Sequence, residues 1–294
     1  MTLLVVGESL VDVIEHADGT RSEHPGGSPF NVARGASRLS VDTELATQLG
    51  TDEYGSLLRS CLHDDAVMLS PLTGDLTRTS VARATLDAAG NATYEFDVEW
   101  GPTSFPDPSL YEAIHIGSLG TFLEPGASAV ADLALSADVL GIPVCFDVNV
   151  RTSICDDPDL WNRAFARVCG YARILRLSED DAAVLFEDTD VLTVASELSM
   201  DGALVTITRG AAGSCIAQGG RIIEVPAAPT QVVDTIGAGD SYTAAVLAWF
   251  SIYNWPDPAD LHDTELLDLA TYASRAAAIT VARPGADPPF IRDL

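Results

Sequence analysis

Short apolar runs alternate with longer amphipathic stretches along this chain. Leu3 to Gly7 is apolar up to its closing glycine and predicts a buried strand. Phe30 to Leu39 has helical spacing behind Pro29, a residue suited to the first turn of a helix. Glu44 to Leu49 predicts a strand and Glu53 to Leu62 a helix. Ser80 to Leu86 and Ala92 to Val98 instead alternate polar and apolar residues around Ala88-Ala89-Gly90-Asn91. That is the pattern of a hairpin with one wet face.

From Ala113 the order becomes strand, helix, strand. Strands are predicted at Ile114 to Gly117, Ile142 to Val148, Ile174 to Leu177 and Ala203 to Thr208. Helices fall at Gly126 to Leu140, Pro158 to Cys169 and Glu179 to Phe186. A second hairpin, Ser214 to Gln218 with Arg221 to Val225, precedes two long helices near Ala238 to Phe250 and Glu265 to Val281. Asn254 to Asp263, rich in Pro and Asp, reads as a loop. This alternation predicts an α/β fold, a mostly parallel sheet covered by helices on both faces. The polar hairpin does not suit a buried parallel sheet. It is expected to stand off as a flap able to close over a site at the strand ends.

Composition narrows the function classes. The 294 residues, 47% of them hydrophobic, suffice for a large core. No apolar stretch approaches the roughly 18 to 20 residues of a membrane span. The N-terminus runs straight into the first strand without the features of a signal peptide, so a cytoplasmic protein is expected. Five scattered cysteines with no C-x-x-C pair suggest neither a disulfide framework nor a zinc site. The net charge of −27 disfavours nucleic acid and anionic lipid as partners and fits a salt-adapted or otherwise acidic proteome. All sixteen basic residues are arginine. Without lysine there is no Walker-type lysine, no protein-kinase strand lysine and no Schiff base. Phosphates would have to be held by backbone amides, arginine and metal.

The chemistry concentrates in Asp234-Thr235-Ile236-Gly237-Ala238-Gly239-Asp240, followed by an apolar-periodic run. Glycines permit a tight turn with converging N–H groups, and the following helix points its positive end at it. The result is an anion hole from Gly237, Ala238 and Gly239. Asp240, in the first helical turn, is placed as the general base for an attacking hydroxyl.

This string resembles the signature of the ribokinase-like (PfkB) carbohydrate kinases. Gly26-Gly27-Ser28-Pro29-Phe30-Asn31-Val32-Ala33 resembles that family's G-G-x-x-x-N-x-A motif, so the likeness spans essentially the whole chain. It implies a single domain over 1–294, a three-layer α/β/α sandwich with a small β-sheet lid from segments near 12–24 and 78–100. It also implies ATP with magnesium and, near the Asp234 loop, a monovalent cation such as K+.

Several residues follow as candidates. Gly26 and Gly27 allow close backbone approach to a ligand. Asn31 can donate to and accept from hydroxyls, and Asp12 falls where the family has a sugar-binding Asp. Asp147-Val148-Asn149-Val150-Arg151 resembles the D-x-N-x-R of the fructokinase and 2-keto-3-deoxygluconate kinase branch. Strand alternation would put Asp147, Asn149 and Arg151 on one side, and a salt-bridged structural arginine is the alternative. Ser178-Glu179-Asp180-Asp181 occupies the place of the family's N-x-x-E, which organises magnesium and phosphate. Asp181 is thus a candidate metal residue, through water if need be, while Ser178 reads equally as a helix N-cap. Thr208, Gly210 and Gly213 match the nucleotide-side T-x-G-x-x-G, and Ser274 the residue near adenine. His115, on an apolar strand, reads as a satisfied core residue.

The expected reaction is ATP-dependent phosphorylation of a small free sugar, fructose before 2-keto-3-deoxygluconate or ribose. The lid sequence Tyr94 to Asp97 tilts toward a neutral ketose, with Tyr94 and Phe96 on one face and Glu95 and Asp97 on the other. A keto-acid substrate would instead engage Arg151 or Arg83. A catalytically silent sugar-binding protein on the same scaffold is the rival of another class. Lid edges also make a homodimer an expectation.

Overall fold

The computed structural model describes residues 2–15, 18–70, 75–86 and 92–294, with only the backbone of Leu86, Ala92 and Tyr94. The expected turn at Ala88 to Asn91 lies outside the described residues. In chain order the elements are β1 (Leu3–Val6), β2 (Leu10–Glu15), β3 (Arg21–Gly26), α1 (Ser28–Arg38), β4 (Thr43–Ala46), α2 (Glu53–Asp64) and β5 (Met68–Leu69). Next come β6 (Ser80–Leu86), β7 (Ala92–Asp97), β8 (Ala113–Gly117), α3 (Gly126–Val139), β9 (Val144–Asp147) and α4 (Pro158–Val168). The chain continues through β10 (Ile174–Ser178), α5 (Glu179–Leu185), α6 (Val191–Ser199), β11 (Leu204–Thr208), β12 (Ser214–Gln218) and β13 (Arg221–Val225), and closes on α7 (Ala238–Ile252) and α8 (Asp263–Val281).

Among the described residues nine strands form the main sheet in the order β13-β12-β11-β10-β9-β8-β1-β4-β5. All pairs are parallel except those of the β11-β12-β13 end. Alternation along β1 shows the layering. Leu3 and Val5 pack with α1, α2, α7 and α8, while Leu4 and Val6 pack with α3, α4, α5 and α6. Both faces of the sheet are therefore apolar and covered, which is why its strands read as continuous hydrophobic runs.

The strand order reverses between β1 and β8, and open α/β sheets bind ligands in the crevice beyond the strand ends at such a reversal. The chain just after β1, β8, β9 and β10 supplies Glu8, Ser118, Asn149 and the α5 start. A second sheet, β3-β2-β6-β7, stands apart from the first. Its central pair, β2 and β6, is parallel, and the outer pairs are antiparallel. Among the described residues no helix is long and apolar enough to cross a membrane.

Two elements lie outside the expectations from sequence. Helix α6 is rich in β-branched residues at its start and is fixed instead by Asp190, whose side chain accepts from Thr193 N. Strand β5 has only two residues. The strand expected to reach Val148 ends at Asp147, because Asn149 adopts a left-handed φ of 48°.

Candidate active site

Two cavities meet at the turn before α7. The larger, about 590 Å³, is lined by polar and charged residues including Glu8, Asp12, Asn31, Asn149, Arg151 and Asp240. The other, about 430 Å³, is lined by Thr208, Gly210, Gly213, Ser274 and small apolar residues such as Ala227 and Ala278. Thr235 and Gly239 line both.

The turn is shaped by glycine. Gly237 caps α7 with φ 75°, and a Cβ there would lie 2.6 Å from the Ala286 side chain. Asp234 braces it, accepting from Ile236 N at 3.0 Å and Gly285 N at 2.9 Å. Ala238 N–H donates to the Thr235 carbonyl at 3.3 Å. Of the three amides expected in the anion hole, those of Gly237 and Gly239 are left without a backbone acceptor among the described residues.

Asp240 faces the larger cavity. Its Oδ1 accepts from Ser28 Oγ at 2.6 Å and its Oδ2 from Asn31 Nδ2 at 2.8 Å. Both donors sit in the first turn of α1, where Gly27 at φ 101° starts the helix against the Glu8 carbonyl. Burial pushes the Asp240 carboxyl up from its ordinary value, and the nearby Asp147 adds to this; Ser28, Asn31 and Arg151 oppose it. A carboxylate held ready but made more basic is what proton abstraction from an alcohol needs. Asp12 is likewise pushed up to about 6, mainly by burial. Gly26 does not line the cavity. It leaves room for Asp12, whose Oδ2 would lie 2.2 Å from a Cβ at that position.

Under the turn lies Arg176, which is absent from the candidates read from the sequence. It is buried on β10, donating from Nη1 to Asp147 Oδ1 at 3.0 Å and from Nη2 to Thr208 Oγ1 at 2.6 Å. A Cβ on Gly239 would come within 2.7 Å of its Nη2. In a chain without lysine, this puts a fixed positive charge against the anion hole. Its only signal in the sequence is a lone arginine between Leu175 and Leu177 in an apolar strand.

Other expectations need correction. Asp147, Asn149 and Arg151 do not share a strand face. Asp147 is buried, held by Arg176 and by Thr243 Oγ1 at 2.7 Å, while Arg151 is exposed at the cavity edge. Asp181 lines neither cavity. Its Oδ1 accepts from Val150 N at 2.7 Å and its Oδ2 from Ser178 N at 2.6 Å, so it braces the loop after β9 to the start of α5. Ser178 caps α5 in a capping box and lines the larger cavity, not the nucleotide-side one. Arg83 points away from the cavity lined by its neighbours Ala82 and Ala84, and pairs with Glu15 and Glu95. Phe96 does line that cavity, but Glu95 and Asp97 are exposed, and the Tyr94 side chain is outside the described residues. His115 is a core residue as expected, yet neither ring nitrogen has a partner among the described residues, and burial pushes it down to about 3.

Comparison with known proteins identifies the family. The model of the pfkB family of carbohydrate kinases matches residues 2–292. A fructokinase of Klebsiella pneumoniae is 29% identical over 262 residues, 86% of this chain and 85% of that protein. Aminoimidazole riboside kinase of Salmonella typhimurium is 27% identical over 301 residues, covering 96% and 89%. Among solved structures, a double mutant of Vibrio cholerae fructokinase with fructose, ADP and potassium ion bound superposes with a TM-score of 0.82 at 23% identity, covering 97% of this chain and 93% of that one. With the family's two signature strings brought together at one site, and its sequence model spanning nearly every residue, this chain belongs to the pfkB family of carbohydrate kinases.

Proposed function

We propose that the protein is an ATP-dependent fructokinase that phosphorylates the terminal hydroxyl of fructose. The observation that carries this reading is the position of Asp240 at the meeting of a polar, sugar-sized cavity and a neutral cavity walled by small residues. Asp12, Asn31, Gly27, Asn149 and Arg151 hold the sugar in the first. Thr208, Gly210, Gly213 and Ser274 line the second for the nucleotide, and its flat apolar walls suit a purine base.

Asp240 removes the proton from the sugar hydroxyl as its oxygen attacks, and Ser28 and Asn31 hold the carboxylate in place. ATP, when bound, supplies the phosphoryl group. The N–H groups of Gly237 and Gly239, the start of α7 and the buried Arg176 stabilise negative charge developing at the turn. The β3-β2-β6-β7 sheet, which contributes Asp12, Ala82 and Phe96 to the sugar cavity, serves as a lid on a single catalytic domain.

No group of three or more His, Cys, Asp or Glu able to hold a metal is present among the described residues. The magnesium is assigned to the nucleotide's phosphates as part of the substrate. A monovalent cation is assigned beside the Asp234–Gly285 link.

The fructokinase names among the relatives support fructose, and the D-x-N-x-R string supports the branch shared by fructokinases and 2-keto-3-deoxygluconate kinases, whereas the riboside kinase among the relatives acts on another acceptor. The test compares kcat/KM for fructose and 2-keto-3-deoxygluconate. Fructose is expected to lead, and a tenfold preference for the acid overturns the assignment.

A further inference from the structure

The proposed chemistry leaves one buried carboxylate at this site without a role. Glu8 follows β1 at the floor of the sugar cavity and is 2% exposed. Its Oε2 accepts from Gly120 N at 2.9 Å, and the Ser118 side chain helps hold the same carboxyl down against burial. Gly120 can come this close because it carries no side chain: a Cβ there would lie 2.9 Å from Gly7 Cα. Ser118 Oγ in turn accepts from Asn149 Nδ2 at 3.2 Å. Asn149 thus spends its amide N–H on Ser118 beside Glu8, which leaves the Asn149 amide oxygen as an acceptor.

Two further facts set the three residues apart from ordinary core packing. Ser118 and Asn149 hold left-handed φ values of 52° and 48°, just past the paired ends of β8 and β9. Non-glycine residues in that region carry strain, which proteins keep mainly where it positions functional groups. Asn31 and the Asp12 carboxylate line the same cavity. The cavity thus gathers the carboxylates of Glu8, Asp12 and Asp240, with Arg151 at the edge and Arg176 below the turn as its cations. A ligand rich in hydroxyl donors suits these carboxylates.

We propose that Glu8, oriented by Ser118 and Gly120, is a specificity-determining residue that accepts a hydrogen bond from a sugar hydroxyl and so selects neutral polyols over sugar acids. The inference rests on the kinase reading and specifies its substrate class. A carboxylate substrate has fewer hydroxyl donors to give and would enter a cavity already holding Glu8, Asp12 and Asp240. A buried site built to accept from a hydroxyl discriminates strongly against ligands that cannot donate.

The experiment is calorimetric binding of fructose to the full chain and to Glu8→Gln, alongside initial-rate kinetics with fructose and 2-keto-3-deoxygluconate. Glu8→Gln is expected to weaken fructose binding by about 10- to 100-fold, the scale of a hydrogen bond to a charged group. The kinetic loss is expected mainly in KM, and the preference for fructose over the acid should shrink. Ser118→Ala, which removes only the orienting hydroxyl, is expected to give a smaller loss in the same direction. Fructose affinity within twofold of wild type in either folded variant overturns the proposal. So does a loss shared equally by fructose and an unreactive ATP analogue, which would make Glu8 a structural brace. Wild-type turnover separates the two readings: binding of fructose without phosphorylation defeats the fructokinase assignment and leaves the subsite standing.

Discussion

Glu8, Asp12 and Asp240 bring three carboxylates into one cavity, whereas the cavity across the Thr235–Gly239 turn carries no charged residue among those described. The first is polar, and burial pushes all three of its carboxyl groups up. The second is made of glycine, alanine and a few hydroxyls, with Ser274 at its wall. The difference follows from what each must hold. A small sugar offers little besides hydroxyls, so it is read by side-chain acceptors. A nucleotide offers a flat base and a string of anionic oxygens, so it is held by shape, backbone N–H groups and one buried arginine.

The largest expected effect tests whether Asp240 belongs to the reacting half of this arrangement. Asp240→Asn keeps the shape and the contact with Ser28 but removes the base. Turnover is expected to fall by about 10² to 10⁴ while fructose binding, measured by calorimetry, changes little. A variant within threefold of wild type takes the base role from Asp240.

The seam between the cavities should be nearly as sensitive, for a steric reason. Gly239 lies against Arg176, and a Cβ would come within 2.7 Å of Nη2. That guanidinium cannot swing aside cheaply, because Asp147 and Thr208 pin it in a buried site. Gly239→Ala should therefore displace the turn and reduce kcat by about 10²-fold, the order expected for misplaced reacting groups. Steady-state kinetics with both substrates checks this, and an unaltered kcat shows that the turn does not depend on Arg176.

The two halves are unequally legible in the amino-acid sequence. Asp12, Asn31 and Asp240 stand in strings whose glycines and spacing carry chemical meaning, and the fold places all three at one cavity. Arg176 carries a fainter signal, since an arginine inside an apolar strand needs a partner. Glu8 and Ser118 give little sign, because their roles depend on strand ends that meet only once the sheet order is known. Alternation fails for Asp147 to Arg151 because a single left-handed residue, Asn149, ends the extended backbone. It succeeds for Phe96, yet the lid acids expected to repel anionic substrates face outward. The carboxylates that carry that argument are Glu8 and Asp12, inside the cavity. The bracing role of Asp181 is also hidden by its motif: both its oxygens hold backbone amides. The nucleotide cavity is the least legible part, since alanines such as Ala227 and Ala278 announce nothing by residue type.

The smallest expected effect separates the halves by pH. Glu8 is pushed up to about 7 and Asp12 to about 6, in both cases mainly by burial. The groups opposing this for Glu8 are Ser118, Gly120, its own backbone N–H and Arg151. For Asp12 they are His24 and Arg151, while Asp240 acts with burial. An ionised carboxylate accepts from a hydroxyl with all its lone pairs, and protonation removes part of that capacity. A raised carboxyl is ionised above its pKa and neutral below it, so sugar affinity must weaken as pH falls through 7 and then 6. The fructose KM is expected to rise by roughly tenfold between pH 8 and pH 6, one pKa unit corresponding to a factor of ten. On the nucleotide side no carboxylate or histidine stands among the described lining residues. Tyr242, the ionisable group in its wall, is pushed up to about 12 and stays neutral throughout. The KM for the magnesium nucleotide, held at constant magnesium excess and saturating fructose, should therefore change by less than about twofold over the same interval. Parallel movement of the two KM values would show that the charge asymmetry between the cavities does not govern binding; a flat fructose KM would show that Glu8 and Asp12 do not meet the sugar as acceptors.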